Sequence, residues 1–296
     1  MKDGSPSWTA GWVAGLRGLA PVVPLEARLI EDPYGARFAG EAFVRLSAAA
    51  RRHPRLAPFV ASLGGSQLLG RVLMMQLRTR ALDDLLRDFV RASGRQLVLL
   101  GAGYDARAWR FRDELAGARV FEVDHPTTQA RKRRLLAEAG APPADVAFLA
   151  WDFEGRPLAE LPGALAGLGH DPSKRTLTIW EGVTNYLTPE AIDATVRTVR
   201  AYSAPGSSLG LTYGEADAIR RPRGWERLDQ WFIASRGEPF RFGFRPAELP
   251  AYLRERGFVV QSDQSLADVA AARLPPRYRR FTSALGVRHV AVARAA

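Results

Sequence analysis

Leu99-Leu100-Gly101-Ala102-Gly103-Tyr104-Asp105-Ala106 places a glycine loop directly behind the apolar run Gln96-Leu97-Val98-Leu99-Leu100. An uninterrupted apolar run of this kind fits a strand covered on both faces. Glycines in the turn after such a strand let the backbone bend tightly and approach a ligand, and the following helix offers free N–H groups. Comparable runs recur downstream at Val120-Phe121-Glu122-Val123, Val146-Ala147-Phe148-Leu149, Leu177-Thr178-Ile179-Trp180 and Leu209-Gly210-Leu211-Thr212. Helical patterns lie between them, notably over 127–139 and 189–202, the latter with Thr188 as N-cap and Pro189 at the first helical position. Alternating strands and helices specify an α/β fold with a mostly parallel sheet and right-handed crossovers. Phe258-Val259-Val260 and His289-Val290-Ala291-Val292 supply two further candidate strands.

Residues 1–95 read as a helical cover, interrupted by Pro21, Pro24, Pro33, Pro54 and Pro58. Within it Leu73, Leu77, Leu82, Leu85, Leu86 and Phe89 keep helical spacing as far as the stop at Gly94. Residues 214–245 break the strand–helix rhythm with charged and aromatic side chains, including Trp225, Trp231 and Phe232, and read as an inserted lid. No linker separates the cover (1–95) from the core (96–296), so one structural domain is expected.

The glycine loop does not choose its ligand unaided. Gly101-x-Gly103-x-x-Ala106 also satisfies the dinucleotide pattern, with acids about 20 positions later, so an NAD-dependent oxidoreductase is one candidate. The acids tilt the choice. Glu122 and Asp124 close the second strand, where a carboxylate meets ribose hydroxyls. Asp152, followed by Phe153, ends the third, within reach of an adenine amino group, and Glu181 ends the fourth. Each alone is explained as a cap or an ion pair; as a series they line one crevice at the carboxyl edge of the sheet. That setting suits an adenosine bearing a cationic sulfonium and an ammonium group. It suits two phosphates poorly, because like charges would face each other.

Composition removes other classes. Of 296 residues, 47% are hydrophobic, enough for a sizeable core. No apolar run approaches the roughly 20 residues of a membrane span, and residues 1–6 carry no signal-peptide core, so a cytoplasmic protein is expected. The absence of cysteine removes disulfides and thiolate chemistry together. The four histidines form no pair at metal-binding helical spacing, and no metal is expected. The net charge of +11 is almost wholly arginine. It reflects either a GC-rich coding sequence or a field that draws an anionic ligand toward a cleft. Basic residues are dispersed, with only short clusters such as Arg131-Lys132-Arg133-Arg134, so nucleic acid is not an expected partner.

Several blocks in order resemble the leucine carboxyl methyltransferase family. They are Arg78-Thr79-Arg80-Ala81-Leu82-Asp83-Asp84, Leu100-Gly101-Ala102-Gly103-Tyr104-Asp105-Ala106-Arg107-Ala108-Trp109-Arg110, Phe121-Glu122-Val123-Asp124-His125-Pro126, Asp152-Phe153, and Trp180-Glu181-Gly182-Val183-Thr184-Asn185-Tyr186-Leu187-Thr188-Pro189-Glu190. The similarity runs over roughly 25–294. It implies a Rossmann-like doubly wound sheet of seven strands with one antiparallel edge strand, and S-adenosyl-L-methionine as cofactor. By the same resemblance Arg78 pairs with the methionine carboxylate, with Arg80 as the neighbouring candidate. Gly101 and Gly103 form the cofactor loop, Asp124 binds the ribose, Asp152 and Phe153 the adenine, and Glu181 lies near the methionine amino group. The family includes enzymes that methylate a protein's C-terminal carboxylate and bacterial relatives in polyketide tailoring. Likeness to the protein-modifying members is slight beyond Tyr186.

The expected reaction is therefore O-methylation of a small acidic molecule by a monomer or homodimer, most simply methyl-ester formation on a carboxylate. A carboxyl group with a pKa of about 4 is already ionised at neutral pH and needs no general base. Methylation of a hydroxyl is the alternative and would need one, arranged by Tyr186, His125 or a lid residue. A cofactor-binding module without catalysis is a further reading. Tyr186, just beyond Glu181, is the candidate for contact with the reacting groups.

Overall fold

The computed structural model describes residues 7–62, 67–153 and 155–296; the side chains of Trp225 and Phe232 lie outside the described ones. All seven apolar runs are strands: β1 (Gln96–Leu100), β2 (Arg119–Asp124), β3 (Val146–Ala150), β4 (Thr176–Trp180), β5 (Ser208–Gly214), β6 (Phe258–Ser265) and β7 (Arg288–Ala295). They form one sheet in the order β3-β2-β1-β4-β5-β7-β6. Neighbours among β1 to β5 are parallel, and β7 runs antiparallel to both β5 and β6. The antiparallel strand therefore lies one place in from the edge, not at it. After β5 the chain runs through residues 215–257, lays β6 down at the rim with a gap, and returns to fill that gap with β7.

Strand alternation divides the interior in two. Leu97 and Leu99 of β1, with Leu177 and Ile179 of β4, face one cluster that also holds Leu16, Leu73, Leu77, Leu82 and Leu86 of the N-terminal helices. Val98, Leu100 and Trp180 face the other, built with Ile192, Val196 and Val199 of the helix Pro189–Ala201. Every residue of β1 and β4 is buried, so β1 is apolar after Gln96, and β4 has threonine (Thr176, Thr178) as its only polar residue type. The helix Gln67–Arg91 carries the leucine stripe and starts upstream of the expected Leu73. Ser93 takes the left-handed position after it (φ 63°), while the Gly94 N–H closes the turn on the Phe89 carbonyl at 2.9 Å. The Thr188 hydroxyl accepts from the Ala191 N–H at 3.3 Å, the cap read from the sequence. Gly214 closes β5, and residues 215–245 lie between it and the helix Leu249–Arg254, including the helices Ala216–Arg220 and Trp225–Ala234. No described helix is long and apolar enough to cross a membrane.

The strand order reverses between β1 and β4. Crevices in open α/β sheets form at such a switch point, outside the carboxyl ends of the strands.

Candidate active site

A cavity of about 590 Å³ occupies that switch point, lined among others by the helix Trp8–Gly18 and by the segment around Gly237, Glu238 and Phe240. The glycine loop forms its floor. Gly101 and Gly103 both take left-handed backbone angles (φ 66° and 50°), which side chains disfavour. A Cβ on Gly101 would stand 2.6 Å from the Val183 Cγ2, inside contact distance. The loop is pinned to β2: the N–H groups of Gly101 and Ala102 both donate to the Val123 carbonyl, at 2.9 and 3.1 Å. The Asp124 carboxylate accepts from the Gly103 N–H and, at 2.6 Å, from the His125 N–H. Burial raises the Asp124 carboxyl above its ordinary value, opposed by those two N–H donors.

Beside the loop lies a buried ion network centred on Arg107. Its guanidinium meets Asp83 at 2.8 Å, Glu181 at 2.7 Å and also Asp105. Glu181 gives its other oxygen to the Arg78 Nε at 2.8 Å. Burial alone would raise the Glu181 carboxyl, but Arg107, Arg78 and Arg17 outweigh it and hold it well below the carboxylate range. Asp105 is lowered in the same way, burial being overcome chiefly by Arg107. Arg17, buried in the N-terminal helix, donates to Asp32 at 3.0 Å and to the Tyr104 carbonyl at 2.5 Å, tying that helix to the glycine loop.

Of the residues singled out from sequence, Arg78, Gly101, Gly103, Asp124, Asp152, Phe153, Glu181 and Tyr186 line this cavity. Arg80 does not. Two residues along a helix turn the side chain by about 200°, and Arg80 pairs outside the cavity with Asp84 at 2.8 Å. Glu122 does not either. It lies within β2 rather than at its end, sealed against Lys132 at 2.6 Å, and burial outweighs that lysine to push its carboxyl up to about 7. The sequence reading passed over Arg17 and Asp105, which reach the cavity, and Arg107 and Asp83 behind it. Asp105 had a signal, being an acid inside the glycine loop; Arg17 had none. His125 lines the cavity and also caps the helix Pro126–Glu138. Trp8 and Trp12 line it as a stacked pair, whereas Trp231 is exposed.

At the lid end, the Phe240 ring meets Tyr186 edge-on at 5.3 Å, and the Arg288 guanidinium lies 5.2 Å from its centroid. Burial pushes the Tyr186 hydroxyl up to about 12, so it keeps its proton at neutral pH. Tyr213 of β5 stacks on His289 of β7 at 4.9 Å. Both rings of that plate are braced from behind by Asp263, at 2.5 and 3.1 Å, and His289 also faces Glu215 at 3.3 Å. Burial opposes charge on His289, yet the two carboxylates hold its pKa above the ordinary value.

The sequence profile of leucine carboxyl methyltransferases matches residues 10–200. The chain belongs to the leucine carboxyl methyltransferase family, a family of S-adenosylmethionine-dependent methyltransferases. An inferred S-adenosylmethionine-dependent methyltransferase of Mycolicibacterium smegmatis is 34% identical over 228 residues, 75% of this chain and 71% of the relative. Another, of Mycobacterium marinum, is 35% identical over 216 residues, 68% and 67% of the two chains. A third, of Frankia alni, is 41% identical over 152 residues; there the chain spans about half the relative's length (52%). Among solved structures, an inferred methyltransferase of Thermobifida fusca aligns with 94% of this chain and 97% of its own at a TM-score of 0.54 and 19% identity. A DUF574 family protein of Streptomyces avermitilis aligns with 94% of this chain and 100% of its own at 0.56 and 16%. These two likenesses are of fold. The family's matched stretch holds the glycine loop, Asp124, Arg78 and Glu181, and ends before the lid and β7.

Proposed function

We propose that this chain moves the methyl group of S-adenosylmethionine to a carboxylate oxygen of a small acidic molecule, leaving S-adenosylhomocysteine and a methyl ester. The observation that carries the cofactor is the meeting, at one switch point, of the left-handed glycine loop, Asp124 and the Arg78–Glu181 pair. That donor set fits an adenosine joined to an amino acid. On this reading Asp124 takes the ribose hydroxyls, Asp152 and Phe153 the adenine, Arg78 the carboxylate, and Glu181 with Asp105 the ammonium group; all of them line the cavity. When bound, S-adenosylmethionine supplies an activated methyl and a thioether leaving group. The acceptor oxygen's lone pair makes the new C–O bond as the C–S bond breaks, and its electrons stay on sulfur.

The protein's part is then orientation and exclusion of water. Tyr186, protonated at neutral pH, serves as a hydrogen-bond donor that aims the acceptor oxygen and not as a base. Glu238 lines the acceptor end beside Tyr186, where it already accepts from the Ser7 hydroxyl at 3.0 Å. Both ring nitrogens of His289 face carboxylates, so its protonated form is favoured and offers no lone pair to a hydroxyl proton. This supports a carboxylate acceptor over a hydroxyl.

The product distinguishes the two. A methyl ester is cleaved by mild alkali with release of methanol, and the rate of its formation should stay flat above about pH 6 because the acceptor is already ionised. An alkali-stable product, or a rate climbing tenfold per pH unit through neutrality, means a hydroxyl acceptor. Asp124→Ala should weaken S-adenosylhomocysteine binding by about 1.5–3 kcal/mol in calorimetry, the range for hydrogen bonds to a charged group. Unchanged affinity would remove Asp124 from the ribose site.

A further inference from the structure

We propose that Ser7 and Glu238 form a clasp that couples cofactor binding at the glycine loop to closure of the cavity wall at the acceptor end; this rests on the S-adenosylmethionine reading above. Both residues lie outside the stretch matched by the family, residues 10–200.

The two stand 231 positions apart in the chain, and both line the cavity. The Ser7 hydroxyl donates to the Glu238 Oε1 at 3.0 Å. Next to that bond the Arg236 guanidinium lies 4.5 Å from the centroid of the Trp8 ring. Residues 234–237 are exposed, so this seam between the N-terminal helix and the lid segment runs along the surface. The Ser7–Glu238 bond is only partly buried, whereas Arg107 and its acids are sealed from water. Contacts open to solvent are the ones that part first, so the wall yields at the seam before it yields at the cofactor end.

What ties the seam to the cofactor site is the second bond of the Ser7 hydroxyl. Its oxygen accepts from the Ala10 N–H at 3.1 Å and so caps the helix Trp8–Gly18. Ala10 packs its methyl against the glycine loop: a Cβ on Gly103 would stand 3.4 Å from it. Further along the same helix, Arg17 holds the Tyr104 carbonyl at 2.5 Å. The Ser7 N–H reaches the Thr128 Oγ1 at 3.4 Å, which brings the helix Pro126–Glu138 into the same junction. One helix therefore touches the loop at two points and the lid segment at its cap. A cofactor that settles the loop settles this helix and holds Ser7 where Glu238 meets it. Glu238 stands beside Tyr186, so the clasp completes the acceptor end when the cofactor is in place. Coupling of this kind is reciprocal, and a made clasp raises cofactor affinity.

Aspartate caps a helix as well as serine does, but at position 7 it sets a second carboxylate against Glu238. Ser7→Asp thus keeps the cap and breaks the clasp. It should lower S-adenosylhomocysteine affinity in calorimetry about 5- to 10-fold, the lower end of couplings between sites, with helix content by circular dichroism unchanged. Adding Glu238→Gln gives the aspartate an amide donor and should restore most of the affinity. The chain has no cysteine, so Ile233→Cys supplies a single thiol, half-buried in the cavity wall on the helix Trp225–Ala234. Saturating S-adenosylhomocysteine should slow its reaction with a thiol reagent by about fivefold or more when Ser7 is present, and little in the Ser7→Asp background. Equal protection in both backgrounds would mean that the ligand shields the thiol directly, and would overturn the coupling. So would wild-type affinity in Ser7→Asp, or no recovery in the double variant. Failure of the wild type to bind S-adenosylhomocysteine would sink the cofactor reading and the coupling with it, whereas the variants bear on the coupling alone.

Discussion

Arg107→Met is expected to cost about 3–5 kcal/mol of stability, the range for removing one partner of a buried ion pair. Arg107 is 1% exposed and is the shared counter-charge of Asp83, Asp105 and Glu181. Methionine fills the space of its stem but leaves those carboxylates with less positive charge. Against a usual total of about 5–15 kcal/mol, the loss brings the fold near its limit. The pH dependence separates this from simple loss of packing. In the wild type Glu181 sits below its unfolded value. Its contribution is present above that value, near the ordinary 4.5, and is lost only as pH falls through the lower folded one. In the variant, burial is opposed mainly by Arg78 and Arg17, and the stranded acids take up protons more readily folded than unfolded. Urea midpoints of Arg107→Met should therefore rise more steeply between pH 7 and pH 5 than those of the wild type, in which Glu122 and His289 already take up protons more readily folded than unfolded. Parallel profiles would show that Arg107 does not control the charge of these acids.

Gly101→Val should abolish cofactor binding, with any residual affinity reduced by more than about 100-fold. A side chain at φ 66° is strained by about 1–3 kcal/mol, and overpacking adds a similar amount. The collision is with the Val183 Cγ2, on the loop that follows Glu181. Relief requires the glycine loop or that neighbouring loop to move, and both line the cavity. The double variant Gly101→Ala/Val183→Ala removes the collision and keeps the backbone strain, so it should regain part of the affinity in calorimetry with S-adenosylhomocysteine. If Gly101→Val binds normally, the loop does not cradle the ligand.

The central strands were legible because burial on both faces fills them with apolar residues and threonine, as β1 and β4 show. Their partners were not. The run around Val290 says strand, but nothing local says that it pairs with both β5 and β6. Arg78 and Arg80 were ambiguous because only the facing of their helix tells them apart, and facing is set by packing. Glu122 and Asp124 share one strand and one parity. What separates them is that Lys132 reaches back from the next helix to neutralise Glu122, leaving Asp124 at the open end. Arg288, Phe240 and Arg17 were invisible as site residues, since each is brought to the cavity by the tertiary fold from a segment with no motif. Ser93 in a left-handed turn beside an available glycine shows the same thing in the backbone. Gly94 is needed for space instead, since a Cβ there would lie 2.3 Å from the Phe89 ring.

The place of β7 has a kinetic side. The pairs β1–β2, β2–β3 and β4–β5 each join strands consecutive in the chain, whereas β1–β4 (Gln96 with Thr176) is as non-local as β5–β7 (Ser208 with Arg294). β7 cannot join β5 until the lid, β6 and the helix Leu266–Arg273 have been traversed, and such non-local pairings form slowly. Until then β5 presents a bare edge of backbone donors and acceptors, an invitation to any other strand. The β6–β7 pair is held by its own ladder and offers β7's free side to that edge.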